Sequence, residues 1–96
     1  MTGQPLPGLR VVVGWSERRN LCALIGDALE AIAGAGEVRK LGDDAYVIHT
    51  PLSTAALRDW LRELLDEGEN VFVAEFEIWS SHGAGVDAKW LLARGH

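Results

Sequence analysis

Cysteine is nearly absent from this chain, with Cys22 alone. No internal disulfide can form, and a lone thiol suits a reducing compartment. Lysine is also scarce, being present only as Lys40 and Lys89. Acidic residues outnumber basic ones, 14 against 9, for a net charge of −5. Nucleic-acid binders gain affinity by neutralising phosphates with a basic stripe, so the balance disfavours a nucleic-acid partner. Anionic membrane surfaces are disfavoured on the same ground. No apolar run approaches the roughly 20 residues that span a bilayer. The opening MTGQPLPG has neither the basic nor the apolar region of a secretory leader. A cytoplasmic protein without a membrane partner is the expectation. Internal repeats, low-complexity tracts and signs of a second domain are missing too.

What is present fits one domain. A chain of 96 residues with 48% hydrophobic and 24% charged side chains can build a single core. Residues 1–8, with two prolines and two glycines, read as a flexible arm, leaving 9–96 as one folded unit. LRVVVGW (9–15) is short and rich in β-branched residues, as a central strand is. Leu21, Leu24, Ile25, Ala28, Leu29 and Ile32 follow helical spacing, with Ser16 or Asn20 as cap and GAG (34–36) as stop. EVRKLGDDAYVIHT (37–50) reads as a hairpin turning at Gly42, Asp43 and Asp44. A second helix is expected within 50–70, capped by Ser53 and stopped by Gly68. Its stripe is Leu57, Trp60, Leu61, Leu64 and Leu65.

NVFVAEFEIW (70–79) is the clearest strand. A short helix follows in VDAKWLLARGH (86–96), docked by Val86, Trp90 and Ala93. Strand, helix, strand, strand, helix, strand and tail is the ferredoxin-like βαββαβ order. Right-handed crossovers predict an antiparallel sheet ordered 4-1-3-2, with both main helices on one face of this α+β fold.

The alternation of 70–79 then suggests a surface. Phe72, Ala74, Phe76 and Ile78 share one face, expected to point at the helices. Val71, Val73, Glu75, Glu77 and Trp79 share the other, expected to be helix-free. An uncovered sheet face carrying valines and tryptophan marks a partner surface. Trp15, Val71, Val73, Glu75, Glu77 and Trp79 are therefore the interface candidates, and a homodimer through this face or the strand-four edge is the expected assembly.

YVIHTPLSTAALRDWLRELLDEGENVFVAEFEIWSSHGAGVDAKWL (46–91) resembles the small ferredoxin-like CRISPR-associated adaptation subunit of the endoribonuclease type. It is closer to that subunit's SinR-like relatives. The shared features are a strand ending in Thr-Pro, a Ser-capped helix with LRDWL, a DEGENVFV turn into strand four, and a terminal WL. The resemblance implies a homodimer of ferredoxin-like protomers. In the nuclease members an aspartate after an aromatic residue, at the end of strand one, binds a divalent metal at the dimer axis. Here Trp15 holds the aromatic position and Ser16 the aspartate position. Serine is a poor ligand for a hard cation, which counts against metal-dependent nuclease activity.

Other candidate chemistry reads as structure. Ser80, Ser81 and His82 are adjacent in an extended segment, so serine and base cannot face each other. Glu75 and Glu77 lie about 6–7 Å apart along one strand face. That spacing suits an acid/base pair, but a face paired with Arg10, Arg39 or Lys40 is the simpler reading. His49, His82 and His96 lack metal-ligand spacing. Ser16, Arg18 and Arg19, between a strand end and a helix start, form an anion-binding candidate without the phosphate-loop glycines. Neither a catalytic residue, a metal nor a cofactor is assigned. The expected function is a non-enzymatic homodimeric interaction or accessory module. The rivals are a divalent-metal nuclease or nucleic-acid-associated protein, and a small-ligand or anion sensor.

Overall fold

The computed structural model describes residues 6–95. Four strands and three helices follow one another as β1 (Gly8–Trp15), α1 (Cys22–Ala33), β2 (Val38–Lys40), β3 (Ala45–Thr50), α2 (Thr54–Arg62), β4 (Asn70–Phe76) and α3 (Ala88–Arg94). A short 3-10 turn, Ala35–Glu37, leads into β2. The sheet is antiparallel throughout and ordered β2-β3-β1-β4. Read from the β4 edge, the same sheet is β4-β1-β3-β2.

Local chemistry sets the element ends. Ser53 caps α2, its side chain accepting from Ala56 N–H at 3.0 Å. Asp87 caps α3 in the same way through Trp90 N–H at 3.1 Å. Gly34 ends α1 at φ 97°, a backbone angle that side chains oppose. Asn20 accepts from Cys22 N–H, yet the residue at the α1 cap is Leu21, and neither Asn20 nor Ser16 fills that place. Helix α2 stops at Arg62 rather than running towards Gly68. Its last turn tightens through Leu64 N–H to Leu61 O and Leu65 N–H to Arg62 O.

The sheet has an apolar cluster on each side. On one side Val12, Val38, Tyr46 and Ile48 pack against Leu21, Ile25 and Leu29 of α1 and Leu57 and Leu61 of α2. On the other, Leu9 and Val47 pack against Trp90 and Leu91 of α3. Both main helices thus share one face, and α3 takes the opposite one.

This arrangement reverses the expected faces of β4. The register sets Val73 opposite Val12, Val71 opposite Gly14 and Glu75 opposite Arg10. Directly opposed residues point to the same side of a sheet. Val71 and Val73 therefore pack against the α1/α2 core. Phe72, Ala74 and Phe76 stand on the α3 side, opposite Val13, Val11 and Leu9. The reason is that β4 is apolar on both faces. Its alternation marks two sides without naming the inner one, and the larger aromatic set is not the one beneath the main helices.

The expected α2 stripe is corrected as well. Trp60 is 43% exposed and Leu64 is exposed beyond the helix end. Trp90 is buried as expected, but on the α3 side of the sheet.

Candidate interaction surface

Helix α3 covers only part of its sheet face. Its docking side is Trp90 and Leu91, with Phe76, Trp79 and Val86 packed around them. That footprint lies at the Leu9 end of β1. Towards the other end, Val11 and Val13 of β1, Ala45 of β3 and Ala74 of β4 are only half-buried. Trp15 is 46% exposed and Phe72 56% exposed. Phe72 opposes Val13, and Trp15 lies on the diagonal beyond it. This open end carries no charged side chain. It also abuts β4, an edge strand with one free side.

The rim of the open end is polar and held rigidly. Asn70 opposes Trp15 and donates its side-chain N–H to Trp15 O at 3.2 Å and Gly68 O at 3.3 Å. Glu69 accepts from Arg19 through both oxygens at 2.6 Å, and from Asp66 N–H at 2.8 Å. The bond from Arg19, followed by the Asp66 backbone, pulls the Glu69 carboxyl down to about 2. A groove of about 570 Å³ runs from Arg58 and Arg62 along the acidic turn, Asp66 to Glu69, to Trp15 and Phe72.

A second polar assembly holds α3 in place. Arg94 donates to both Glu37 oxygens, at 3.0 and 3.1 Å, and to Gly36 O at 3.0 Å. His49 Nδ1 lies 2.7 Å from Glu37 Oε2. Arg94 first, then His49, hold the Glu37 carboxyl below its ordinary value. The Trp90 indole N–H donates to Gly36 O at 2.7 Å. Its ring carries the Arg94 guanidinium at 4.5 Å and the Arg39 guanidinium at 5.4 Å from the centroid. Arg39 also pairs with Asp87 at 3.2 Å. The Asp87 carboxyl is lowered by the Trp90 N–H first and by Arg39 next.

The structure disperses the interface candidates of the sequence. Trp15 and Trp79 are on the α3 side, Trp15 at the open end and Trp79 against α3. Val71, Val73 and Glu75 are on the α1/α2 side, with Glu75 at 3.6 Å from Arg10. Glu77 lies past the end of β4. It lines a cavity of about 420 Å³ with Arg10, Glu75 and Arg94. Phe72, Val13 and Ala74 complete the open end, although alternation alone sets Phe72 and Ala74 on the covered side and nothing local marks Val13. Only the β1–β4 register reveals them.

The anion candidates are partly occupied. Arg19 is held by Glu69, with Asp66 at 3.5 Å, so an anion there would compete with two carboxylates. Ser16 accepts from Arg18 N–H at 3.1 Å. Ser80, Ser81 and His82 are exposed in the loop after β4, and His96 lies outside the described residues. Among the described residues, no group of three or more His, Cys, Asp and Glu side chains is placed to hold a metal ion. No helix of the described residues is long and apolar enough to cross a membrane. No family model, curated protein or solved structure matches the chain.

Proposed function

We propose that this chain is a small, non-enzymatic homodimeric module of the ferredoxin-like type, pairing through the open end of its sheet face. The βαββαβ order, the antiparallel sheet and the shared face of α1 and α2 support the fold reading. The functional reading rests on Trp15 and Phe72, half-exposed neighbours at the apolar end of a strand face, next to Val11, Val13, Ala45 and Ala74. Exposed apolar patches of this kind mark partner sites, and tryptophan is enriched among the residues that dominate interface energy. Ser16 supports the non-enzymatic part, since its hydroxyl is a weak ligand for a hard cation and is bonded to the Arg18 amide.

The face is favoured over the β4 edge as the site of pairing. Two β4 edges joined about a two-fold axis would extend the sheet. Trp15 and Phe72 would still face water on its surface. Stacking on the face removes their apolar atoms from water, which is the dominant driving force for association.

Sedimentation equilibrium tests this reading. The expected mass is twice the protomer's 10.4 kDa. The doubly substituted Trp15→Ser, Phe72→Ser chain should sediment as a monomer with its fold intact by circular dichroism. A wild-type monomer at high micromolar concentration would overturn the proposal.

A further inference from the structure

The β1–β4 ladder closes with Leu9 opposite Phe76. Beyond that pair β4 stops, while Gly8 stays paired with Thr50 of β3. A cavity of about 420 Å³ opens where the two strands part, within the roughly 300–1,000 Å³ of small-molecule sites. It lies at the opposite end of β1 from Trp15. Leu6, Pro7 and Phe76 give it apolar walls, and Arg10, Arg94, Glu75 and Glu77 bring charge.

The four charges are not equally engaged. Arg94 is committed to Glu37 and to Gly36 O. Arg10 is 7% exposed. Its Nε donates to Leu52 O and its Nη1 to Leu9 O, both at 3.2 Å. Its Nη2 makes no hydrogen bond among the described residues, and the Glu75 carboxylate stands 3.6 Å from it, beyond hydrogen-bond range. A guanidinium carries five N–H donors, so part of this buried cation is left without an acceptor. Burying a charge is costly where its donors are unmet. Gly8 lets the guanidinium sit there, because a Cβ at that residue would stand 2.6 Å from Arg10 Nη1. Glu77 is exposed and makes no ion pair among the described residues.

Unmet donors of a cation and an unmet carboxylate thus line one cavity. A lone anion such as phosphate would meet Glu75 and Glu77 there, and a lone cation would meet Arg10 and Arg94. A ligand that carries both charges satisfies the site. We infer that this cavity takes a small zwitterion, an α-amino acid with an apolar side chain. Its carboxylate accepts from Arg10 Nη2 in a charge-assisted hydrogen bond. Its ammonium donates to Glu77, with the Glu75 charge in the same cavity. Its side chain lies against Leu6 and Phe76 and loses water there. The site uses neither Trp15 nor Phe72, so it stands apart from the homodimer reading.

Isothermal titration calorimetry on the full chain tests the site. The probes are free leucine, N-acetyl-leucine, which lacks the ammonium, and leucinamide, which lacks the carboxylate. Leucine should bind, and each analogue about tenfold more weakly, as loss of a hydrogen bond to a charged group requires. Replacing buried Arg10 risks the fold, so two gentler variants serve. Glu77→Gln changes an exposed residue, and Gly8→Ala displaces the guanidinium at the flexible end of its side chain. Circular dichroism checks both folds. Each variant should weaken leucine about tenfold. Glu77→Gln should also erase leucine's advantage over N-acetyl-leucine, and Gly8→Ala its advantage over leucinamide. Leucine binding unchanged in both variants, or absent at millimolar concentration, would overturn the site. N-acetyl-leucine binding as tightly as leucine would overturn the role of Glu77, and leucinamide doing so would overturn that of Arg10.

Discussion

Arg94 clasps Glu37 through a forked pair of hydrogen bonds of 3.0 and 3.1 Å, joining the last turn of α3 to the entry of β2. The same guanidinium lies over the Trp90 ring at 4.5 Å. One side chain thus aligns the helix that half-covers the sheet. Arg94→Ala is expected to destabilise the fold by about 1–3 kcal/mol, the range for charge-assisted hydrogen bonds. Arg94→Lys should recover only part, because an ammonium cannot fork onto a carboxylate. Urea unfolding measures both, and equal stability of all three chains would refute the clasp.

The clasp carries a pH dependence. Glu37 is held below its ordinary value of 4.5, by Arg94 first and His49 next. A carboxyl lowered by folding contributes stability that is present above its unfolded value and lost as pH falls through its folded value. Glu37→Gln should therefore melt below wild type at neutral pH. The difference should close on acidification below about pH 4.5, checked by thermal melts along a pH series.

Glu69 extends the acid limb further down. Bonds from Arg19 and the Asp66 backbone lower its carboxyl from 4.5 to about 2. The same sign holds, so its contribution is complete above pH 4.5 and fades towards pH 2. Glu69→Gln should lose stability at neutral pH and match wild type near pH 2. An equal difference at every pH would show that its role is not ionic.

Gly26→Ala sets two effects against each other. Alanine favours a helix interior over glycine by about 1 kcal/mol. A Cβ at this position of α1, however, would stand 2.6 Å from Tyr46 Oη and 3.0 Å from its ring. Tyr46 donates to Cys22 O at 2.8 Å, with the Cys22 thiol 3.0 Å away, so it cannot retreat without breaking both contacts. Overpacking costs about 1–3 kcal/mol, so net destabilisation is expected in chemical denaturation. A stabilised variant would mean that the tyrosine moves freely.

Trp60 and Trp90 look alike in sequence, as bulky members of helical stripes, and should respond differently to phenylalanine. The Trp60 indole donates to Ala28 O at 3.2 Å from a side chain that is 43% exposed. Its replacement should cost about 0.5–1.5 kcal/mol, one ordinary hydrogen bond. Trp90 is 5% exposed, bonds Gly36 O at 2.7 Å and lies beneath two guanidiniums. Trp90→Phe should cost about 2–4 kcal/mol, adding a cavity in the buried cluster and weaker cation–π contact to the lost hydrogen bond. Parallel denaturant titrations compare them.

The candidate surface was legible only in outline. That Trp15 needs a reason for its exposure follows from a tryptophan ending a strand beside charged turns, and it is 46% exposed. That Phe72 shares the area, and that Val71 and Val73 do not, depends on pairing between β1 and β4. Arg19 reads locally as a free cation at a helix start, and its carboxylate partner comes from a turn 50 residues away.

By itself, the sequence determined the order and kind of the elements, together with the Ser53 cap and the Gly34 stop. Those depend on periodicity and backbone preference within a few residues. The tertiary structure alone decided which side of β4 lies inward. Both sides are apolar, so local alternation is equally satisfied either way. Only the register that sets Val73 beside Val12, beneath α1 and α2, separates them. The same register leaves Phe72 and Trp15 outside the footprint of α3. An interface candidate was visible in sequence because exposed aromatics need a reason, but its location depended on contacts between distant strands.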